Sequence, residues 1–222
     1  MMPRSLKRPP DTCSLFSSAS QPLHFRISSP LLVLSLMLLL SGCTGLFSNI
    51  LHQDNPALFV RVDPLYHLPL PHTREYFLLV QGVGGEFSHT GNETYAFDWS
   101  MPVGTPIPAA RDGVVVFVRN RPYDRMVPLE KRIANVVKVR HRDGTVGVYA
   151  HLDTTSIRIG THVRVGDIIG HSGNTGYSTR PHLHFHVEKD GRSIPIAFVD
   201  VDDPLGIPRV GKLYQGSGTR TQ

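Results

Sequence analysis

The sequence predicts a mainly β protein whose core is an antiparallel sheet or β-sandwich. Short β-rich runs follow one another between turn residues, and the 222-residue chain contains 20 Gly and 18 Pro. From Tyr76 to Asp200 there is little of the i, i+3, i+4, i+7 spacing that marks an amphipathic helix. The length suits one domain with an appended segment.

Five runs account for the predicted strands, and glycine, proline or polar turns separate them. The tripeptide Arg142-Asp143-Gly144 between two of the runs is typical of a β-hairpin turn. This spacing favours antiparallel neighbours over parallel strands joined by helices. The runs are YFLLV from Tyr76, GVVVFV at 113–118, NVVKVRH at 135–141, VGVYAHL at 146–152 and HLHFHV at 182–187.

The N-terminus predicts an export signal that ends in a lipid-modified cysteine. Basic residues precede PLLVLSLMLLL from Pro30 to Leu40, an apolar run too short to span a bilayer and typical of a secretory signal. The following Ser41-Gly42-Cys43 completes a sequence that resembles the lipobox of bacterial lipoproteins. We therefore expect residues 1–42 to be a lipoprotein signal peptide and Cys43 to carry the lipid. The alternatives are an uncleaved anchor and a secreted protein without lipid.

The residue after the predicted lipidation site bears on location. In the enterobacterial sorting rule, an aspartate at this position retains a lipoprotein in the inner membrane, and here the position is Thr44. We expect attachment to the outer membrane through the N-terminal lipid, with the protein facing the periplasm of the cell envelope.

The net charge of +5 does not indicate a nucleic-acid partner. Four basic residues and one acidic residue lie within residues 1–42, so removing this segment would lower the formal charge from +5 to +2. The remainder has no dense Lys/Arg stripe interleaved with aromatic residues. The only two cysteines, Cys13 and Cys43, precede the apparent domain, which excludes a disulfide framework.

The rest of the chain divides into three parts. Residues 43–75 contain several prolines and little periodicity, which suits a tether or an extended segment lying across the domain. Residues 76–200 form the predicted domain. Residues 201–222 form a polar C-terminal tail that ends in small, polar residues.

Three histidines alternate with apolar residues on the last predicted strand. Because strand side chains alternate, His182, His184 and His186 share one face and the apolar residues between them share the other. Stacked imidazoles need polar partners, and a divalent metal readily takes neutral imidazole nitrogen. A structural or coincidental His-x-His is the alternative, and a metal site needs a third ligand.

His89 and Asp98 are the candidates for the other ligands. His89 lies in a glycine-bordered loop, and Asp98 lies between Phe97 and Trp99 of a probable strand. A buried carboxylate needs a partner that offsets its desolvation, and a metal would supply one. Catalytic zinc usually takes three protein ligands and leaves a position for water. An outward-facing Asp98 is the alternative.

Several motifs follow one another in a specific order from about Gly84 to Val187. They are His89 with Tyr95-Ala96-Phe97-Asp98, the stretch Pro102–Val115, Tyr149-Ala150-His151-Leu152, Gly166–Gly170 leading into Gly173-Asn174-Thr175-Gly176, and Pro181-His182-Leu183-His184-Phe185. In this order and spacing the sequence resembles the lysostaphin-like zinc endopeptidases, also called LytM-domain peptidoglycan hydrolases.

This resemblance implies a β fold of the LytM type and a division of roles among five residues. It implies that His89, Asp98 and His184 bind Zn²⁺, and that His151 and His182 are catalytic histidines outside the ligand set. Such a site would hydrolyse peptide cross-links of bacterial peptidoglycan, whose peptide stems are the expected partner. A bound zinc lowers the pKa of its water toward about 7, and uncoordinated imidazoles can transfer the proton.

Two positions depart from the usual family pattern. Eight residues lie between His89 and Asp98, more than in many family members, so the Asp98 assignment depends on the Pro-Val-Gly-Thr-Pro sequence that follows it. His186 stands where an acidic or other residue is commoner. It is left open whether His186 supports a ligand, is an additional ligand or is a surface group.

Two other functions are alternatives to hydrolysis. A non-catalytic LytM-type regulator would activate a separate cell-wall amidase, but such relatives typically lack metal or catalytic positions, and all five are present here. A biotinyl-lipoyl carrier hairpin resembles Val163–Gly170, but a carrier needs a lysine at the hairpin tip and none is near.

Overall fold

The computed structural model describes residues 54–122 and 126–217. The predicted signal peptide, Cys43 and the last five residues of the predicted tail lie outside these ranges. Within them, no helix has both the length and the apolar character needed to cross a membrane.

Strands dominate the described residues, which contain no α-helix. Three short 3-10 helices occur, at Pro56–Leu58, Gly91–Glu93 and Leu129–Lys131. The strands are β1 (Pro64–Tyr66), β2 (Phe77–Gln81), β3 (Phe97–Ser100), β4 (Pro106–Pro108), β5 (Gly113–Arg119), β6 (Asn135–Arg140), β7 (Val146–Thr154), β8 (His162–Val163), β9 (Ile168–Ser172), β10 (His182–Lys189), β11 (Arg192–Ser193), β12 (Ala197–Phe198) and β13 (Leu213–Tyr214).

Eleven of these strands form one sheet. Its main path runs β13-β2-β3-β10-β7-β6-β5-β8, with β11 beside β10 and β4 joined through β9 to β7. Every pairing in this sheet is antiparallel, which confirms the predicted fold class. The short strands β1 and β12 form a separate parallel pair that the sequence did not predict.

The core lies on one face of the central strand β10. Leu183, Phe185 and Val187 alternate along it and are fully buried. The Phe185 ring lies 4.9 Å from the Tyr149 ring of β7 and 6.1 Å from the Phe198 ring, measured between centroids. Because side chains alternate on a strand, the histidines of β10 point to the opposite face.

The lead segment before the predicted domain packs against it. Tyr66 and Leu68 are buried, and the Tyr66 hydroxyl lies 2.9 Å from Thr145 Oγ1. In the described part of this segment, which begins at Asp54, these residues contact the domain. The packed structure therefore starts well before Tyr76.

The predicted polar tail also begins with packed residues. Val201 and Ile207 are buried, and β13 pairs with β2 at the edge of the sheet. The guanidinium carbon of Arg209 lies 4.1 Å from the centre of the Phe59 ring, which ties this region to the lead segment. The packed structure therefore continues beyond residue 200.

Candidate metal centre

Two of the predicted ligands face each other across neighbouring strands. In the antiparallel register of β3 and β10, His184 lies directly opposite Asp98. His184 Nδ1 lies 2.9 Å from Asp98 Oδ1, and both residues are buried. The short distance follows from the register, because opposed side chains on one face of an antiparallel pair are close neighbours.

His89 reaches this pair from the loop between β2 and β3. Its Nδ1–H donates to the Gly82 carbonyl over 2.7 Å, which leaves the lone pair on Nε2. This Nε2 is buried, has no hydrogen-bond partner among the described residues, and lies 3.2 Å from Asp98 Oδ1. A buried nitrogen with an unused lone pair beside a carboxylate is what an absent cation would leave.

The lead segment supports the loop that carries His89. Gly84 has a φ of +67°, and a side chain there would place its Cβ 2.8 Å from Asn55 Cβ and 2.7 Å from Leu58 Cδ1. The Asn55 N–H donates to the Val83 carbonyl over 2.8 Å. Glycine is therefore required at position 84 by both conformation and space.

These three residues fit a zinc ion. One ligand atom from each of His89, Asp98 and His184 can be chosen so that all three lie within 4.8 Å of one another. Two imidazoles and a carboxylate form a donor set that catalytic zinc takes in proteins. The arrangement is buried on the protein side and opens toward a groove that also contains the other histidines of β10.

The local electrostatics favour a positive charge at this point. Burial raises the pKa of Asp98, but His89, His182 and His184 outweigh it and hold the pKa well below its usual range. Burial lowers the pKa of His89, yet Asp98 and the Gly82 carbonyl raise it above its ordinary value. Asp98 is thus ionised, and the neighbouring imidazoles stabilise its negative charge.

Sequence reasoning missed Gln81 as part of this site. A register shift between β2 and β3 places Gln81 opposite Asp98. Its amide Nε2 donates to Asp98 Oδ2 over 3.0 Å and to Ser88 Oγ over 2.7 Å. The available signal was a polar residue directly after the apolar YFLLV run, but the register shift that aims it at Asp98 is not visible in the sequence.

His151 lies at a bulge in β7. Asn135 of β6 pairs with Leu152 and Val136 with Ala150, so His151 is the extra residue, and its φ is +62°. A bulge re-aims a side chain, and here the imidazole enters the groove. Such a conformation is unusual for a residue other than glycine and is typical of functional positions.

Hydrogen bonding fixes which nitrogen of His151 faces the groove. Its Nδ1–H donates to the Thr175 carbonyl over 2.6 Å, which leaves the lone pair on Nε2. Burial, followed by His182 and His184, lowers the pKa of His151 to about 3. His151 is therefore neutral at physiological pH, with the lone pair of its Nε2 facing the groove.

His182 is held in the same way. Its Nδ1–H donates to the Arg180 carbonyl over 2.8 Å, and Ser178 Oγ lies 3.1 Å from the same nitrogen. His182 Nε2 lies 3.8 Å from Asp98 Oδ2, and the His182 and His151 rings are 4.5 Å apart between centroids. The two histidines thus present their Nε2 atoms beside the three candidate ligands.

His186 is buried, so it is not a surface group. Its Nδ1 lies 3.0 Å from His184 Nε2, on the side of that ring opposite the nitrogen that approaches Asp98. The cluster of potential ligand atoms contains His89, Asp98 and His184 and does not include His186. His186 therefore contacts a candidate ligand instead of joining the set.

A groove of about 810 Å³ runs over these residues. Val136, Val148 and Ala150 contribute an apolar floor. The rings of Phe87 and Tyr177 lie 6.2 Å apart at its edge. Within the described ranges the lead segment does not line this groove, so from residue 54 onward it leaves the candidate site open.

The fold and the site define a β domain with a candidate zinc centre. Residues 92–195 match the profile of peptidase family M23. This part of the chain is thus similar to peptidase family M23, in agreement with the lysostaphin-type resemblance of the sequence motifs. The family and the His-Asp-His donor set also confirm zinc as the expected cofactor.

Individual relatives are similar to part of the chain. The peptidoglycan DD-endopeptidase ShyA of Vibrio cholerae is 35% identical over 112 residues, which cover 50% of this chain and 24% of the relative. The DD-carboxypeptidase/endopeptidase Mpg of Neisseria meningitidis is 36% identical over 116 residues, or 52% and 25% of the two chains. The chain thus spans about a quarter of the length of these relatives.

A solved structure can also be superposed on part of the chain. The catalytic domain of a prophage-encoded M23 protein from Enterococcus faecalis aligns with 57% of this chain and 94% of its own, at 26% identity and a TM-score of 0.45.

Proposed function

We propose that this protein is a zinc-dependent endopeptidase that hydrolyses peptide cross-links of bacterial peptidoglycan. The observation that carries the proposal is the buried cluster of His89, Asp98 and His184 with the Nε2 atoms of His151 and His182 beside it. A regulator that only binds would not need two further histidines oriented in this way. The intact set favours catalysis over amidase activation.

The proposed substrate is a D,D peptide bond of the cross-link. ShyA is named a peptidoglycan DD-endopeptidase, and Mpg is named a DD-carboxypeptidase/endopeptidase. Each relative matches about half of this chain. The groove beside the candidate ligands is open at the surface, and its volume of about 810 Å³ leaves room for part of a peptide.

In the proposed mechanism, His89, Asp98 and His184 hold zinc, which when bound polarises the scissile carbonyl and acidifies the attacking water. His151 and His182 are the proposed proton-transfer residues. Their Nδ1–H groups are committed to backbone carbonyls, so each Nε2 can accept the proton of the water and return it to the leaving amine. Gln81 holds the second Asp98 oxygen and so keeps the carboxylate oriented.

The two catalytic histidines are close enough to share one proton. Their ring centroids are 4.5 Å apart, and His182 is among the causes that lower the pKa of His151. A positive charge on His182 therefore disfavours one on His151. The pair can therefore offer a base and, after proton transfer, one donor for the oxyanion.

The experiment is cleavage of defined muropeptides. The purified full-length protein, solubilised in detergent, is incubated with cross-linked muropeptide dimers in zinc and after chelation, and the products are identified by mass spectrometry. We expect chelator-sensitive conversion of dimers to monomers, absent in His182→Ala and unchanged in His162→Ala, since His162 is exposed on β8. A folded, zinc-loaded wild-type protein that leaves dimers intact would contradict the endopeptidase and favour the amidase activator.

We further propose that the protein is a lipoprotein of the cell envelope, attached to the outer membrane through Cys43 and facing the periplasm. Support comes from the apolar run, the lipobox-like tetrapeptide and Thr44. In this scheme residues 1–42 are removed, and the stretch from Cys43 to the first packed residues is the tether to the membrane.

Mass spectrometry of the protein from bacterial membranes tests this proposal. We expect a diacylglyceryl-modified N-terminus at Cys43, its loss in Cys43→Ser, and no change in Cys13→Ser. Fractionation then locates the protein. A mature N-terminus at another residue would refute lipidation, and enrichment in the inner membrane would refute the sorting assignment alone.

A further inference from the structure

A row of polar side chains extends from the candidate ligand His184 along the groove face of the sheet. His184 Nε2 lies 3.0 Å from His186 Nδ1, and His186 Nε2 lies 3.8 Å from Glu188 Oε2. Glu188 Oε1 accepts from Lys138 Nζ, on β6, over 2.8 Å. All four residues line the groove, and the two imidazoles are about 5% exposed.

The direction of the hydrogen bonds in this row follows from the metal site. If His184 offers the Nδ1 that approaches Asp98 to the metal, its single ring proton is on Nε2. That proton must be donated to His186 Nδ1, so His186 carries its own proton on Nε2. His186 Nε2–H then faces the Glu188 carboxylate, whose Oε2 lies 3.8 Å away, beyond hydrogen-bonding distance but close enough for electrostatic attraction.

Glu188 remains a carboxylate in this environment. The neighbouring His186 imidazole, and then the Lys138 ammonium, lower the pKa of Glu188 to about 2 against the opposing effect of burial. The charge at the end of the row is therefore negative at any pH at which the protein is expected to work. Because Glu188 stays ionised, its negative charge always favours ring protons of His184 and His186 that point along the row toward it.

From this geometry we infer that His186 is a positioning residue that fixes the ring proton of His184 on Nε2 and so keeps the Nδ1 lone pair directed at the metal. Glu188, held by Lys138, orients His186 in turn. The inference rests on the zinc site of the proposed function and adds a residue that acts on zinc through His184. Metal-binding histidines commonly donate their second N–H to a partner of this kind.

Zinc affinity measured by chelator competition is the test, because it does not depend on catalysis. In the full-length protein we expect His186→Leu, which removes the acceptor, to weaken zinc binding by roughly 10- to 100-fold. His186→Gln retains a side-chain oxygen that can accept from His184 Nε2, and we expect its affinity to stay within about threefold of the wild type. His162→Leu, at an exposed histidine, is the matched control.

The tautomer of His184 is a second readout and needs no substitution. Nitrogen NMR of the zinc-loaded wild-type protein should show His184 protonated on Nε2 and unprotonated on Nδ1, with a coupling or slow exchange that reflects its hydrogen bond to His186. If His186→Leu does not fold, the coupling or slow exchange of this Nε2 proton still decides the question, since the tautomer alone follows from zinc binding at Nδ1. Protonation of His184 on Nδ1 would overturn the inference.

The outcomes separate this inference from the proposed function. Wild-type protein that binds no zinc would contradict both. Wild-type protein that binds zinc and cleaves muropeptides, while His186→Leu and His186→Gln bind zinc equally well, would overturn the positioning role and leave the endopeptidase intact. Zinc binding that is weakened equally in both variants would also overturn it. That result would mean that a hydrogen-bond acceptor at position 186 does not restore zinc affinity.

Discussion

One face of β10 is apolar and the other carries histidines, and the two faces have different roles. On one face, Leu183, Phe185 and Val187 are fully buried in the core. On the other, the alternating histidines line the groove. The apolar face is stabilised by removal of surface from water, whereas the imidazole face is tolerated because each ring has a polar partner. Alternate residues of one strand therefore contribute to the stability of the core and to the proposed chemistry of the groove.

This separation follows from the position of β10 at the centre of the sheet. Its neighbour β3 supplies Asp98 to the groove face and Trp99 to the core face, and its neighbour β7 supplies Ala150 and Tyr149 in the same way. The rigid core holds the backbone from which the site residues project. A site on strands is held more accurately than one on loops.

The largest expected effect is on the groove face, at a ligand. His184→Ala removes one of three candidate zinc ligands, and we expect loss of stoichiometric zinc together with a loss of activity greater than the roughly 10²–10⁴-fold that removal of a proton-transfer group costs. Zinc content by elemental analysis and muropeptide cleavage measure the two effects. Circular dichroism should show a retained β fold. Unchanged zinc content would contradict the ligand assignment.

His182→Ala, on the same face, should separate chemistry from metal binding. We expect kcat to fall by about 10²–10⁴-fold, because a positioned proton-transfer group is lost, while zinc content stays the same. Steady-state kinetics on muropeptides and elemental analysis provide the test. Loss of zinc with activity would show that His182 is a ligand, and the division of roles between His182 and His184 would then be wrong.

Much of this face could be predicted from sequence, because its signal is local. The two-residue period of HLHFHV places the histidines together, and the antiparallel strand pattern was correct. The motif pattern also singled out His89, Asp98 and His151, whose approach to one another depends on long-range pairing that local periodicity alone does not specify.

Other features depended on irregular backbone or distant packing. The bulge that aims His151 and the register shift that places Gln81 opposite Asp98 are single-residue irregularities, which hydrophobic alternation does not reveal. The burial of Tyr66 within a proline-containing segment depends on partners such as Thr145, far along the chain. Composition predicted a tether or an extended segment lying across the domain, but not the residues against which the segment packs.

The core face should respond in the opposite way to the groove face. Phe185→Ala removes a fully buried ring, and we expect the free energy of unfolding to fall by about 3–5 kcal/mol because apolar contacts are lost and a cavity remains. Urea unfolding measures this loss, and the folded fraction should still bind zinc. Tyr76→Ala, at an aromatic residue that is 61% exposed, is the control. Similar losses in both variants would contradict the assignment of the core.

A smaller effect is expected beside the ligands. Gln81→Met keeps the length of the side chain and removes the donor to Asp98 Oδ2, so we expect zinc affinity to fall by roughly 10- to 100-fold. Chelator competition measures the change. Gln215→Met is a matched control, because the Gln215 amide donates to the Thr73 carbonyl and not to a candidate ligand. Unchanged affinity would mean that Asp98 is oriented without Gln81.

The smallest effect concerns the stability that the groove face itself supplies. The pKa of Glu188 is about 2 in the folded protein, against an ordinary value of 4.5, so its interactions stabilise the fold above pH 4.5 and are lost as the pH falls through about 2. Because the pair with Lys138 is partly exposed to solvent, we expect Glu188→Gln to lower the free energy of unfolding by less than about 1 kcal/mol at neutral pH.

Urea unfolding with chelator present, repeated from neutral pH downward, measures this effect. The free energies of unfolding of the wild type and the variant should converge as Glu188 becomes protonated. If the difference in the free energy of unfolding between the wild type and the variant increased as the pH fell, a lowered pKa of Glu188 would be contradicted. A loss at neutral pH as large as that of Phe185→Ala would show that the two faces of β10 do not divide stability from chemistry.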